Sequence, residues 1–157
     1  MLNHYTTTMR EIAKQRMKTV EALINAHDYE GAAYIIGLTG EIALKAVISK
    51  RLNFSEYPPK TTTKNQQNYL RTHDHQELVV LAGLSGVFSP TANTPEALNW
   101  SEYTNQYRGD WISRLRYHDE GTGRSIVITD DEVKRLYEVL ISDENSIIKY
   151  IQRKRLW

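Results

Sequence analysis

GAAYIIGLTGEIALKAVISKR, residues 31–51, is the stretch that decides the fold. It is apolar on most faces and too long for a strand, so it predicts the central helix of a helical domain. It nevertheless carries Glu41 and Lys45 at i, i+4 spacing, beside Gly37 and Gly40. On a solvated face such a pair would be ordinary. In a helix this apolar the two charges need partners, because an unpaired buried charge is costly.

The two glycines have two possible explanations. Small residues let a neighbouring helix or a second subunit approach closely, and close packing alone would account for them. The alternative is that they leave room for a ligand beside the charged pair. The sequence favours packing and keeps the ligand role open.

The composition is that of an ordinary globular domain of 157 residues, and we expect a single domain over residues 1–157. The net charge is +1, so a nucleic-acid or nucleotide site would have to be a local patch. The absence of cysteine excludes disulfides, thiolate metal sites and a cysteine nucleophile. We see no signal segment and no apolar run of the ~20 residues that a membrane span needs, and therefore predict a soluble cytoplasmic protein without a membrane partner.

The first two helices are predicted from their start signals. Residues 8–26 have helical apolar spacing, and Thr8 with Glu11 suggests a capping box. Asp28 is a suitable N-cap for the next helix, which we expect to end near Arg51.

The remaining helices are predicted in the same way. Pro58, Pro59 and a threonine run make residues 52–66 a loop, and a third helix is expected from about Gln67 to Leu84. Thr94-Pro95-Glu96 begins a fourth helix, and Thr129 begins a last one that is expected to kink near residues 142–144. With no convincing strand repeat, the pattern predicts an all-α fold, an up-and-down bundle of four to five helices.

His73 and His75 flank Asp74 and raise the possibility of a metal site. Two residues at i, i+2 cannot share one helix face, and no third ligand is evident nearby, so we predict no metal and no cofactor. A histidine packed at a helix start is the simplest interpretation. His73 is also a candidate acid or base, since histidine exchanges protons near neutral pH.

DWISRLRYHDE, residues 110–120, is the densest polar cluster. Arginine forks suit phosphate and aromatic rings suit stacked bases, which makes Arg116 and Tyr117 candidates for ligand binding. Arg114 and His118 are candidates for metal-independent RNA cleavage, in which the histidine would move a proton and the guanidinium would stabilise the charged phosphorane. The alternative is a solvated helix end with structural ion pairs.

DYEGAAYIIGLTGEIALKAVI, residues 28–48, resembles the signature helix of the HEPN superfamily (higher eukaryotes and prokaryotes nucleotide-binding). In that helix, small and apolar residues lead into a Gly, a Glu and Leu-Lys-Ala. The matching positions here are Gly37, Glu41 and residues 44–46.

Two later segments are similar to the same family and follow in its order. THDHQELVVLAGL, residues 72–84, resembles a His-x-x-x-x-Leu helix with His73 as the histidine. Residues 114–121 and 128–140 resemble the family's Arg-Tyr pair and its closing helix. The likeness covers roughly residues 9–152.

The resemblance implies a homodimeric bundle of four or five helices. Its members include partners of nucleotidyltransferases, RNA-cleaving toxins and RNase modules of defence systems. The cleaving members carry Arg-x(4–6)-His, whereas Arg71 to His75 and Arg114 to His118 each enclose three residues. The chain therefore fits the non-cleaving branch better.

The resemblance to that branch implies a module that binds a nucleotide or RNA, or accompanies a nucleotidyltransferase. Its expected setting is a toxin–antitoxin or defence system. Glu41, Lys45 and His73, with Arg116 and Tyr117, would line its polar cleft. Two alternatives stay open. One is a metal-independent endoribonuclease with a diverged Arg/His pair, and the other is a structural protein-interaction module.

Overall fold

The structure, a computed structural model, describes residues 4–106 and 128–157, and this part of the chain is all-α, which confirms the predicted fold class. It has no strand and is divided into more helical segments than the four or five that the sequence predicts. The segments are α1 His4–Asn25, α2 Tyr29–Arg51, α3 Lys64–Leu70, α4 His75–Leu81, α5 Ser85–Phe88, α6 Pro95–Gln106, α7 Asp130–Tyr137, a π-helical turn Glu138–Ser142, and α8 Ile147–Arg153.

Helix α2 is the centre of the core, as its apolar sequence predicts. It packs along α1 and also contacts α4, α7, α8 and the π-helical turn. The predicted N-cap is confirmed, because the Asp28 carboxylate accepts a hydrogen bond from the Gly31 N–H at 2.9 Å. Only residues 26–28 join α1 to α2, so the two helices form a tight hairpin.

Gly40 allows the π-helical turn to pack closely against α2. A Cβ atom at this position would lie 3.2 Å from Leu140 Cδ2, closer than ordinary van der Waals contact. Leu140 is fully buried in the core. Close helix packing, the simpler of the two explanations offered for the glycines, therefore holds for Gly40.

The predicted beginning of the first helix is wrong. Helix α1 begins at His4, and the Thr8 hydroxyl donates to the His4 carbonyl at 2.9 Å from inside the helix. Glu11 accepts from Arg10 and Lys14 side chains instead of completing a capping box. Serine and threonine hydroxyls also make this bond to the i−4 carbonyl within helices. A threonine in the sequence therefore does not by itself mark where a helix begins.

The single third helix predicted from about Gln67 to Leu84 is also wrong, because the helix begins earlier and a second cap, at Asp74, divides it. Thr63 and Gln66 form a reciprocal capping box that begins α3. The Asp74 carboxylate accepts from the Gln76 and Glu77 N–H groups and begins α4. The break places His73 in the connection between the two helices.

The later start signals are confirmed. The Thr94 hydroxyl accepts from the Ala97 N–H at 3.0 Å at the beginning of α6. Thr129 and Glu132 form a capping box at the beginning of α7. The predicted kink is also present, because the π-helical turn ends at Ser142 and Ser146 caps α8.

Helix α2 is long and apolar enough to cross a membrane by length and composition. A stretch of it has a mean hydropathy of 1.5, so the sequence-based statement that no apolar run is long enough was too strict. Of that stretch, 67% is buried inside the protein. The core helix of a soluble protein passes the same test, so this property is weak evidence in either direction.

We expect Gly40→Val to lower the free energy of unfolding by roughly 1–3 kcal/mol, because the added side chain would overlap Leu140. Chemical denaturation followed by circular dichroism would measure the change. Gly86→Val is the control, since nothing lies within 4 Å of a Cβ atom there. An equal loss of stability in both variants would show that steric exclusion at Leu140 is not the cause.

Candidate functional site

The structure brings Glu41, Lys45 and His73 into one hydrogen-bonded cluster. Glu41 Oε1 accepts from Lys45 Nζ at 2.6 Å and lies 2.9 Å from His73 Nδ1. The side chains of Glu41 and Lys45 are only 12% and 13% exposed, whereas that of His73 is 61% exposed. The two α2 charges are therefore largely removed from water, and the histidine from the α3–α4 connection covers their outer side.

The cluster keeps Glu41 ionised. Burial opposes ionisation, but hydrogen bonds and charge from Lys45 and His73 outweigh it, and the pKa of Glu41 is lowered below its ordinary value. A buried pair of this kind costs desolvation energy, which good geometry and additional hydrogen bonds offset. The second donor, His73, supplies such a bond.

A surface groove of about 410 Å³ opens beside the cluster, between α1, α2 and the segment that connects α2 to α4. Three of its lining side chains are basic or can become cationic: Lys45, Arg71 and His73. No aspartate or glutamate is among the lining residues that the structure describes. Glu41 lies behind Lys45 and His73, so the groove presents the donors of the cluster and not its acceptor.

Two tyrosines form a fixed wall of the groove. The Tyr57 hydroxyl donates to the Leu70 carbonyl at 2.8 Å, and the Tyr5 hydroxyl donates to the Tyr57 carbonyl at 3.2 Å. Lys45 Nζ lies 5.8 Å from the centroid of the Tyr57 ring, within the range of a cation–π contact. Burial, with a smaller contribution from the Glu41 charge, raises the pKa of Tyr57, so its hydroxyl remains a neutral donor.

The remaining lining of the groove is apolar. It consists of Met9, Ile12, Ile42 and Pro58, and Ile12 is 37% exposed. A groove with much apolar lining and a few convergent polar groups is the usual form of a small-molecule site.

His75 has a different environment from His73. It is buried, its Nδ1 lies 2.7 Å from the Tyr103 hydroxyl, and its ring stacks on Tyr103 at 5.5 Å between centroids. Burial lowers the pKa of His75 to about 4, although the Glu41 and Asp74 charges act in the opposite direction. The imidazole is therefore neutral at neutral pH, and it is the packed histidine that the simplest interpretation of the sequence expects.

The described residues contain no group of three or more histidine, aspartate or glutamate side chains arranged to hold a metal ion. The two histidines of the His-x-His pattern have separate partners, one on Glu41 and the other on Tyr103.

Three of the ligand-binding residues predicted from the sequence, Glu41, Lys45 and His73, are thus in contact. Arg116 and Tyr117, together with the catalytic candidates Arg114 and His118, fall in residues 107–127, outside the described residues.

Sequence reasoning missed Arg71, Tyr5 and Tyr57 as residues of the groove. Arg71 was considered only as part of a cleavage motif, and Tyr57 lies in a segment interpreted as a loop. The excess of tyrosine, ten against two phenylalanines, was the available signal, because such rings suit half-buried sites with a polar edge.

Comparisons with protein-family models, with curated proteins and with solved structures found no match to this chain.

We expect Glu41→Gln to lower the free energy of unfolding by about 1–3 kcal/mol near pH 7, because Lys45 and His73 lose a charged partner. The lowered pKa means that the carboxylate stabilises the fold above the pH at which an unfolded glutamate titrates. That contribution disappears as the pH falls through the folded-state pKa, so the variant and the wild type should converge in acid.

Urea denaturation at about pH 7 and about pH 3 would measure this convergence. Glu11→Gln is the control, because Glu11 is 55% exposed in its own ion pairs and should contribute little. A difference between wild type and Glu41→Gln that stays constant with pH would show that the ionised carboxylate is not the stabilising group.

Proposed function

We propose that this protein is a non-catalytic, HEPN-like module that binds a nucleotide or RNA in the groove beside Glu41, Lys45 and His73. The observation that carries the proposal is the charge arrangement. Basic side chains line the groove, and the carboxylate that pairs with two of them lies behind them. A phosphate-bearing ligand would meet donors without an acidic side chain in the lining.

Arg71 is the principal phosphate-binding group in this proposal. It lines the groove, is exposed, and has no carboxylate within ion-pair distance among the described residues. A guanidinium presents a planar fork of donors that matches phosphate oxygens. Lys45 contributes less, because Glu41 already compensates its charge at 2.6 Å.

The remaining lining suits the nucleoside part of such a ligand. Tyr5 and Tyr57 are held by their hydroxyl groups, so their positions are fixed before a ligand arrives. Met9, Ile12 and Ile42 offer apolar contact for a base. Aromatic and apolar surface next to cations is the combination by which proteins hold single-stranded nucleic acid without reading its sequence.

The wider context of the proposal comes from the resemblance to the HEPN superfamily. A homodimer, a nucleotidyltransferase partner, a toxin–antitoxin or defence setting and a cytoplasmic location remain predictions of that resemblance and of the composition. Light scattering after size exclusion would measure the oligomeric state directly.

The binding test is fluorescence anisotropy with labelled single-stranded RNA and with a labelled adenine nucleotide. We expect Arg71→Ala to weaken binding by about tenfold or more, since it removes a charge-assisted contact. Lys149→Ala is the control, because it removes an exposed positive charge from α8 that lines neither the groove nor the cluster. Equal binding by all three proteins, or no binding to either probe, would reject the groove as the site.

A second candidate function, metal-independent RNA cleavage, is favoured by one observation. Glu41 orients the His73 ring through Nδ1 at 2.9 Å, and Arg71 lines the same groove. A carboxylate that orients a histidine is a common arrangement for acid–base catalysis, and a nearby guanidinium can stabilise a charged phosphorane.

Incubation with total RNA in the presence of a chelator separates the two functions. The binding module should leave the RNA intact. Cleavage that survives the chelator and is lost in His73→Ala would favour catalysis in the groove. Cleavage that is lost only in His118→Ala would instead assign it to the Arg114–His118 pair that the sequence analysis proposed.

A further inference from the structure

We infer that the groove selects a terminal phosphate monoester, held between Arg71 and His73, over the internal phosphodiester of a continuous strand. The inference rests on the proposed function and specifies its ligand. Two sources share this chemistry, a free nucleoside monophosphate and the phosphorylated end of an RNA strand.

The first argument is the charge that the groove has to offer. The Lys45 charge is compensated by Glu41, whereas the Arg71 charge is not compensated by any carboxylate of the described residues. His73 adds a second positive charge when it is protonated. A phosphate monoester carries about −1.5 to −2 charges near neutral pH, and a diester carries about −1. With His73 protonated, Lys45, Arg71 and His73 carry three positive charges against the one negative charge of Glu41. This net charge of +2 matches the monoester better.

The second argument is the proton on His73. Glu41 Oε1 accepts from Nδ1 at 2.9 Å, so this nitrogen carries a hydrogen when the carboxylate is ionised. The other ring nitrogen, Nε2, is a donor only in the imidazolium form. A dianionic oxygen at Nε2 would favour that form, and the proton would come from solvent. Wherever His73 is neutral in the free protein, binding of the monoester is therefore coupled to the uptake of a proton.

The charged and titratable groups near His73 come from α1, from α2 and from the segment that joins α2 to α4. Glu41 on α2 contacts His73 Nδ1, and Lys45 contacts the same carboxylate oxygen at 2.6 Å. Arg71 lines the same groove, and the Asp74 carboxylate accepts from the N–H groups that begin α4. Tyr5 and Tyr57 complete the titratable lining, and burial raises the pKa of Tyr57, which stays neutral. An anion bound between Arg71 and His73 would compensate the Arg71 charge.

The third argument is the size of the groove. A volume of about 410 Å³ lies toward the lower end of the range of about 300–1,000 Å³ for small-molecule sites. It suits one nucleotide unit, and its apolar lining would take the base or sugar of that unit.

The experiment is isothermal titration calorimetry at about pH 7.5 with adenosine, AMP and 3′,5′-cyclic AMP, and with a short RNA carrying either a 5′-phosphate or a 5′-hydroxyl. We expect AMP to bind at least about tenfold more tightly than adenosine and the cyclic diester. If RNA ends are also ligands, the phosphorylated strand should exceed the hydroxyl strand by a similar factor. The small ligands and the two RNA strands together distinguish the free nucleotide from the strand end.

The proton is measured by repeating the AMP titration in two buffers with different ionisation enthalpies. We expect the wild type to take up a fraction of a proton on binding AMP, and His73→Gln to take up none. Arg71→Ala should lose the preference for the monoester, whereas Lys149→Ala should retain both the preference and the uptake. Thermal unfolding of each variant would establish that it is folded.

The failures of the two proposals can be told apart. Tight binding of 5′-hydroxyl RNA or of the cyclic diester, equal to that of the monoesters, would overturn this inference and leave the binding function intact. Monoester binding without proton uptake would overturn the role of His73. The absence of binding for every ligand would overturn the proposed function and this inference together.

Discussion

The Glu41 carboxylate is the constraint on which the rest of the site depends. It sits on the most buried helix, and an ionised acid there is tolerated only with hydrogen-bonding partners. Lys45 supplies one partner from the next turn of the same helix, which is a local solution. His73 supplies the other from a segment that is 32 residues away in sequence, and this contact ties the α3–α4 connection to α2. The hydrogen bonds that stabilise the buried Glu41 carboxylate therefore also position the wall of the groove.

The contact between Glu41 and His73 leaves the negative charge in the interior and the positive charges at the groove. Because Glu41 lies behind its two partners, the surface that a ligand would meet is basic, although the chain as a whole has a net charge of +1. A local excess of positive charge of this kind can bind an anion even though the protein as a whole has almost no net charge. The desolvation that raises the energy of the buried pair also strengthens the attraction between Glu41 and Lys45.

The sequence predicted the features of the fold that follow from local rules. Helix α2, its Asp28 cap, the starts at Thr94 and Thr129 and the kink after Ser142 all depend on residues close together in the chain. It also predicted that Glu41 and Lys45 would turn inward, because the apolar surroundings left few other possibilities. The groove itself could not be predicted in full, since Tyr5 and Tyr57 meet through a hydrogen bond that spans 52 residues. Long-range contacts of this kind leave no periodic signal in the sequence.

The error in the third helix explains why His73 is available at the groove. In one continuous helix, the side chains of His73 and His75 would have pointed about 200° apart around the helix axis. Nothing in that geometry would have placed either side chain next to Glu41. The Asp74 cap ends that continuity and begins α4 at His75, which enters the core beside Tyr103. His73 is left in the connection, where its backbone is not bound by helical geometry. The pair therefore works as one buried, neutral histidine that anchors α4 and one exposed histidine that faces the carboxylate. A single aspartate between them produces this division of roles, which a search for metal-binding spacing cannot detect.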